Sequence, residues 1–206
     1  MHVARTRAGL SRSEFLSKGA RHGATLLVAG TAFGALAETA SADPLSDNDL
    51  AFARLLVAAE LLSVDFYIRA TDANRFRAVG RKYLHSAFSN EVAHYHTVSS
   101  ILSGAGYIPA TAQDFDFSYP PGSFRSRLAI AQLGRELETV FLGSYLGAVA
   151  AVQSQPLAGP LARIAASEAQ HLSLWGYELG GRPLSLAFPA PYTIDEASTA
   201  LSAFVN

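Results

Sequence analysis

The segments "NEVAH", Asn90 to His94, and "SEAQH", Ser167 to His171, each set a glutamate three residues ahead of a histidine inside an otherwise apolar run. Side chains at i and i+3 share one face of a helix, so the two members of each pair point the same way. Around Glu168 and His171 that face also carries Leu161, Ile164, Leu172 and Trp175; around Glu91 and His94 it carries Leu84, Phe88, Val98 and Ile101. A helix patterned like this turns its ionisable pair into the core, where an uncompensated ion costs several kcal/mol. The chain must therefore fold so that compensating groups reach both pairs.

Two single glutamates sit in comparable stripes. Glu60 has Leu56, Val57 and Val64 as its near neighbours along a helical face. In "GRELETVFLGSY" both Glu136 and Glu138 are available, and they project about 200° apart at roughly 100° per residue. Glu138 is favoured because Phe141 and Leu142 lie on its side. Like Glu60, it is also followed seven residues later by a tyrosine, giving Glu60 with Tyr67 and Glu138 with Tyr145. Glu60 precedes Glu91 by 31 residues and Glu138 precedes Glu168 by 30, a match that suggests an internal duplication. Four carboxylates gathered in a dry interior repel one another and need positive charge. Two divalent cations cancel them, and two neutral imidazoles complete the shell, with each Glu-x-x-His pair gripping one ion and the single glutamates binding or bridging. The candidate metal ligands are Glu60, Glu91, His94, Glu138, Glu168 and His171.

The periodicity predicts an all-α chain. Helix one is expected over about 45–70, and helix two over about 73–104, stopped by Gly104 and Gly106. Helix three is expected over about 123–154, "QPLAGP" as a break, helix four over about 157–179, and a short last helix near 195–205. Between helices two and three "YIPATAQDFDFSYPPG" has no helical period and reads as a long crossover. Its Phe115, Phe117 and Tyr119 either strap an apolar face or form a subunit contact in a homo-oligomer. Tight links within each half and one long link between them describe a four-helix bundle.

With 206 residues, 50% of them apolar, the chain can fill one core, and a single domain is expected. A formal charge of −1 and no basic stripe argue against nucleic acid as a partner. The absence of cysteine excludes disulfides, thiolate metal sites and cysteine nucleophiles, leaving oxygen and imidazole to hold any metal.

The first forty residues differ in kind. Arg5, Arg7, Arg12, Lys18 and Arg21 precede the apolar run "ATLLVAGTAFGALA", and Ala40 and Ala42 form an A-x-A cleavage site. The run is shorter than the roughly 20 residues that span a bilayer. Residues 1–42 are thus expected to be an export signal, and 43–206 the mature domain, periplasmic or extracellular, with no stable membrane span. Within the signal, "SRSEFLSKG" resembles the twin-arginine export motif, with Ser13 where the second arginine stands. Removing 1–42 leaves 11 Lys+Arg against 15 Asp+Glu, a formal charge of −4.

The set Glu60, Glu91-x-x-His94, Glu138 and Glu168-x-x-His171 resembles the ligand pattern of the ferritin-like superfamily of carboxylate-bridged dimetal proteins. The resemblance covers about 45–179. More narrowly, "AELLSVDFY", the "FDF" crossover and the signal resemble the exported, desiccation-related branch, in which an acidic residue often stands where this chain has Ser63. The resemblance implies a ferritin-like fold and two divalent ions, iron first and manganese second, since glutamate oxygen and histidine nitrogen at high coordination suit both. It implies an oxidoreductase acting on oxygen, peroxide or ferrous iron, of ferroxidase, peroxidase or catalase-like type. The alternative is a non-catalytic metal-binding or stress-protective protein. An organic-substrate oxygenase ranks third, because these residues imply no cavity. Core tyrosines with satisfied hydroxyls are the first reading of Tyr67 and Tyr145, and hydrogen bonds to ligand carboxylates or electron relay the second. His85, His96, Gln170 and Glu178 are read as peripheral.

Overall fold

Ser46 starts the first helix, its hydroxyl accepting from the Asp49 backbone N–H at 3.1 Å. In the computed structural model, which describes residues 45–181 and 186–206, the helices are α1 (Asp47–Asp72), α2 (Ala78–Gly104), α3 (Arg127–Ala151), α4 (Gln155–Glu178) and α5 (Ile194–Ser202). α1 packs along α2 and α3 along α4, α1 crosses α3, and α5 lies on α3 and α1, whereas α2 and α4 meet at few points. This is the all-α four-helix bundle with one crossover and a short terminal helix that the periodicity predicts. The export signal expected over 1–42 lies outside the described residues. Among the described residues no helix is long and apolar enough to cross a membrane.

Three boundaries differ from expectation. Helix two begins at Ala78 because "ANRF" turns, with Asn74 at φ 51, a left-handed conformation asparagine tolerates. Helix three begins at Arg127, where Ser126 caps it by accepting from Ala129 N at 3.1 Å. The "QPLAGP" break is itself helical: α4 opens at Gln155 with Pro156 in its first turn, where no intrahelical N–H is needed. The true break is Val152 to Ser154, held by buried Asp49, whose carboxylate accepts from Gln153 N at 2.8 Å and Ser154 N at 3.0 Å.

The crossover and the C-terminus secure each other. Phe115 and Phe117 are buried and stacked at 5.3 Å. Ser118 N donates to Phe204 O at 2.9 Å and Asn206 N to Asp116 O at 3.0 Å. Tyr119 donates to Asp65 at 2.8 Å, so the aromatics strap α1 within the chain. Before α5, Tyr192 N donates to Gly143 O at 2.8 Å. A Cβ at Gly147 would lie 1.8 Å from Tyr192 O, so only glycine permits this approach.

Candidate metal centre

All six predicted ligands are buried. Glu60 is 2% exposed, Glu91 1%, His94 9%, Glu138 and Glu168 0%, and His171 5%. They come from four helices, Glu60 on α1, Glu91 and His94 on α2, Glu138 on α3, Glu168 and His171 on α4. They fall into two groups of donor atoms, each within 4.8 Å: Glu60, Glu91, His94 and Glu168 in one, Glu91, Glu138, Glu168 and His171 in the other. Glu91 and Glu168 belong to both.

This sharing changes the arrangement expected from spacing, in which each Glu-x-x-His pair grips one ion. His94 Nδ1 lies 2.8 Å from Glu168 Oε1 but 3.5 Å from Glu91 Oε2 in its own motif. His171 Nδ1 lies 2.7 Å from Glu91 Oε1 and 3.3 Å from Glu168 Oε2. The motifs are interleaved because α2 and α4 face each other across the bundle, so each imidazole meets the glutamate of the opposite helix.

Several of these contacts are close without being aligned as hydrogen bonds. Glu60 Oε2, both oxygens of Glu91, His94 Nδ1, Glu138 Oε2 and Glu168 Oε1 are buried with no hydrogen-bond partner. Buried polar atoms are normally satisfied. Here lone pairs converge on common points, where a hard or borderline cation would supply the missing partner. The residues present fit a pair of divalent ions.

The tyrosines settle which oxygen is free. Tyr67 donates to Glu138 Oε1 at 2.5 Å, and Tyr145 donates to Glu60 Oε1. Each single glutamate therefore has one oxygen held from behind and one left toward the centre, while Glu91 has two. Both tyrosines are core residues with satisfied hydroxyls, and the partners that satisfy them are the carboxylates of two of the candidate ligands. Trp175 Nε1 donates to the Tyr67 hydroxyl at 3.2 Å, and Trp175 is fully buried. The sequence reading missed this link, although Trp175 shares the apolar face of Glu168 and His171.

The electrostatics follow from burial and proximity. Burial pushes the Glu60 carboxyl up, and the charges of Glu91 and Glu168 push it further. Glu138 is raised by burial and by Glu168 and Glu91. Burial likewise raises the Tyr67 and Tyr145 hydroxyls, beside Glu138 and Glu60 respectively, so both remain donors. At Glu91 burial opposes ionisation, but His171 and His94 overcome it and hold the carboxyl down at about 2. Burial opposes the imidazolium forms too, yet Glu168 and Glu91 lift His94 to about 9 and His171 to about 11.

His171 turns its Nε2 to Asn90, whose amide nitrogen stands at 3.1 Å. With Nδ1 as the ligating lone pair, Nε2 carries the hydrogen, and a half-turn of the amide presents its oxygen as acceptor. Asn90 then fixes the ring and its tautomer. Ser63 is 1% exposed, and its hydroxyl has no hydrogen-bond partner among the described residues. Glu136, His85, His96 and Gln170 are exposed, and Glu178 pairs with Arg127 at 2.6 Å, away from the ligands.

A search of curated proteins finds no match to this chain. The family model described as "Ferritin-like domain" matches residues 48–180, which span α1 to the end of α4 and contain all six clustered side chains. The chain belongs to the ferritin-like domain family.

Proposed function

We propose that this chain is an exported dimetal oxidoreductase acting on oxygen, peroxide or ferrous iron, with Glu60, Glu91, His94, Glu138, Glu168 and His171 holding two ions, iron first and manganese second. The observation that carries this reading is the pair of overlapping buried Glu/His groups sharing Glu91 and Glu168. Ions held by shared carboxylates can change oxidation state together, which supplies two electrons to oxygen or peroxide. The chain's own residues do the rest. Tyr67 and Tyr145 keep Glu138 and Glu60 oriented, each with one oxygen available. Asn90 holds the imidazole of His171. Leu56, Phe66, Phe141 and Trp175, all nearly inaccessible, keep bulk water from the carboxylates.

Within this reading residues 1–42 are an export signal cleaved near Ala42, resembling the twin-arginine type, and 43–206 is the exported ferritin-like domain of the desiccation-related branch. The sequence of the first forty residues supports the export element.

The experiment is metal analysis of the purified chain after anaerobic loading with iron and with manganese, followed by peroxide consumption, oxygen consumption and ferrous iron oxidation. About two ions per chain with turnover in any assay supports an enzyme. Two ions without turnover, and a stability that falls on chelation, support the non-catalytic alternative. A folded chain that takes up neither ion overturns both.

A further inference from the structure

α2 and α4 enclose the dimetal side chains but do not close on each other. Along their seam lies an open groove of about 1330 Å³ with His171 and Asn90 in its lining. Its walls are two helical stripes running in opposite directions, Val79, Tyr83, Ser86 and Asn90 on α2 against Gln170, Leu174 and Tyr177 on α4. Val79 is 63% exposed, Tyr83 50%, Leu128 52% and Tyr177 67%. Half of the large apolar side chains exposed among the described residues thus line this one groove. Such clustering marks a binding surface more than scattered exposure does.

The two ends of the groove differ in chemistry. One end reaches His171, a side chain of the candidate centre. The other holds Arg75, Arg77 and Arg127. Glu178 occupies Arg127 at 2.6 Å. Arg75 and Arg77 are exposed and have no carboxylate partner among the described residues, and no acidic side chain stands in the first turn of α2. From Arg77 to Asn90 the helix advances roughly 20 Å. The groove therefore offers a cationic mouth, an apolar stretch beside it at Val79, Tyr83, Leu174 and Tyr177, a more polar inner stretch at Ser86, Asn90 and Gln170, and a floor at His171.

We propose that this groove binds an elongated aliphatic carboxylate, its carboxylate at Arg75 and Arg77, its chain along Val79, Tyr83 and Tyr177, and its far end against Asn90 and His171. The occupant follows from charge and shape together. Two guanidiniums with no carboxylate partner among the described residues select an anion, the apolar stretch at Val79, Tyr83, Leu174 and Tyr177 selects an alkyl body, and the course of the groove along two antiparallel helices selects an elongated one. This deepens the oxidoreductase reading by giving it an organic ligand, and only the placement of the far end rests on that reading.

The test uses the full chain and dodecanoate, with dodecanol as the uncharged comparator, by titration calorimetry. Dodecanoate binds at one site per chain, dodecanol binds more weakly, and Arg75→Ala with Arg77→Ala weakens dodecanoate roughly tenfold or more. Ser86→Trp, on an exposed position in mid-groove, abolishes binding while leaving the helical circular dichroism unchanged. In the manganese-loaded chain, proton relaxation of the terminal methyl is enhanced more than that of the methylene beside the carboxylate. Binding that ignores both the arginine and Ser86 variants overturns the proposal. So does no binding at all, which is also the result expected if a second copy or another segment of the chain fills the groove, or a reversed relaxation gradient. If the chain takes up no manganese, the oxidoreductase reading fails while the calorimetry still decides the groove.

Discussion

Tyr67 of α1 donates its hydroxyl to Glu138 of α3 at 2.5 Å, and Tyr145 of α3 returns the bond to Glu60 of α1. Each half of the chain thus supplies the donor for the other half's single glutamate. The seven-residue offset seen twice in the sequence is the one-dimensional trace of this exchange.

Removing either hydroxyl leaves a buried carboxylate oxygen without its donor. Tyr145→Phe is expected to cost about 1–3 kcal/mol in urea unfolding. Tyr67→Phe costs more, because the Trp175 indole N–H loses its acceptor as well. Equal losses would show that the indole bond contributes nothing.

Because Glu91 and Glu168 belong to both donor groups, their loss differs in kind from loss of the single glutamates. Glu91→Gln or Glu168→Gln is expected to abolish binding of both ions. Glu60→Gln or Glu138→Gln weakens one ion and retains the other. Elemental analysis of the four variants after loading with manganese reads the stoichiometry directly, and uniform loss across all four would remove the distinction.

Stripped of metal by chelation, the chain is expected to lose stability from mildly acidic toward alkaline pH. His94 and His171, raised to about 9 and about 11, contribute fully below their unfolded value near 6.5 and lose that contribution as pH rises through the raised values. Glu60 and Glu138, also raised, act in the same direction from about pH 4.5 upward. Glu91, held at about 2, opposes them only on the acid side, where its contribution disappears as pH falls below about 4.5. Metal replaces these protons, so affinity for the ion rises with pH over the same range. Thermal melts of stripped and loaded protein across the range check both slopes.

A Cβ at Gly134 would lie 2.5 Å from the Trp175 ring. Gly134→Ala is therefore expected to displace Trp175, costing about 1–3 kcal/mol by overpacking. The indole bond to Tyr67 goes with it, so the emission of this single tryptophan shifts as stability falls. An unshifted spectrum would mean that α3 moves instead.

Much of the site was legible because its signals are local. Glu-x-x-His spacing, apolar neighbours and helical period all lie within a few turns of one segment, so they identify the six side chains and the face each takes. Choosing Glu138 over Glu136 needed only the apolar register, and the structure buries the first and exposes the second. The helix ends were less legible. Pro156 reads as a breaker in sequence, yet it stands in a first turn where the missing N–H is harmless.

The sequence by itself determined an all-α bundle and which polar groups it must bury, since hydrophobic period and the cost of buried charge are properties of single helices. Only the tertiary structure decided that each histidine lies nearest the opposite motif's glutamate, that Tyr67 and Tyr145 exchange donors across the bundle, and that α2 and α4 part to leave a groove at His171. These depend on how far apart helices lie and how they are rotated against each other. That is fixed by packing at contacts such as Gly134 with Trp175 and Gly147 with Tyr192, and no residue spacing within one helix encodes it.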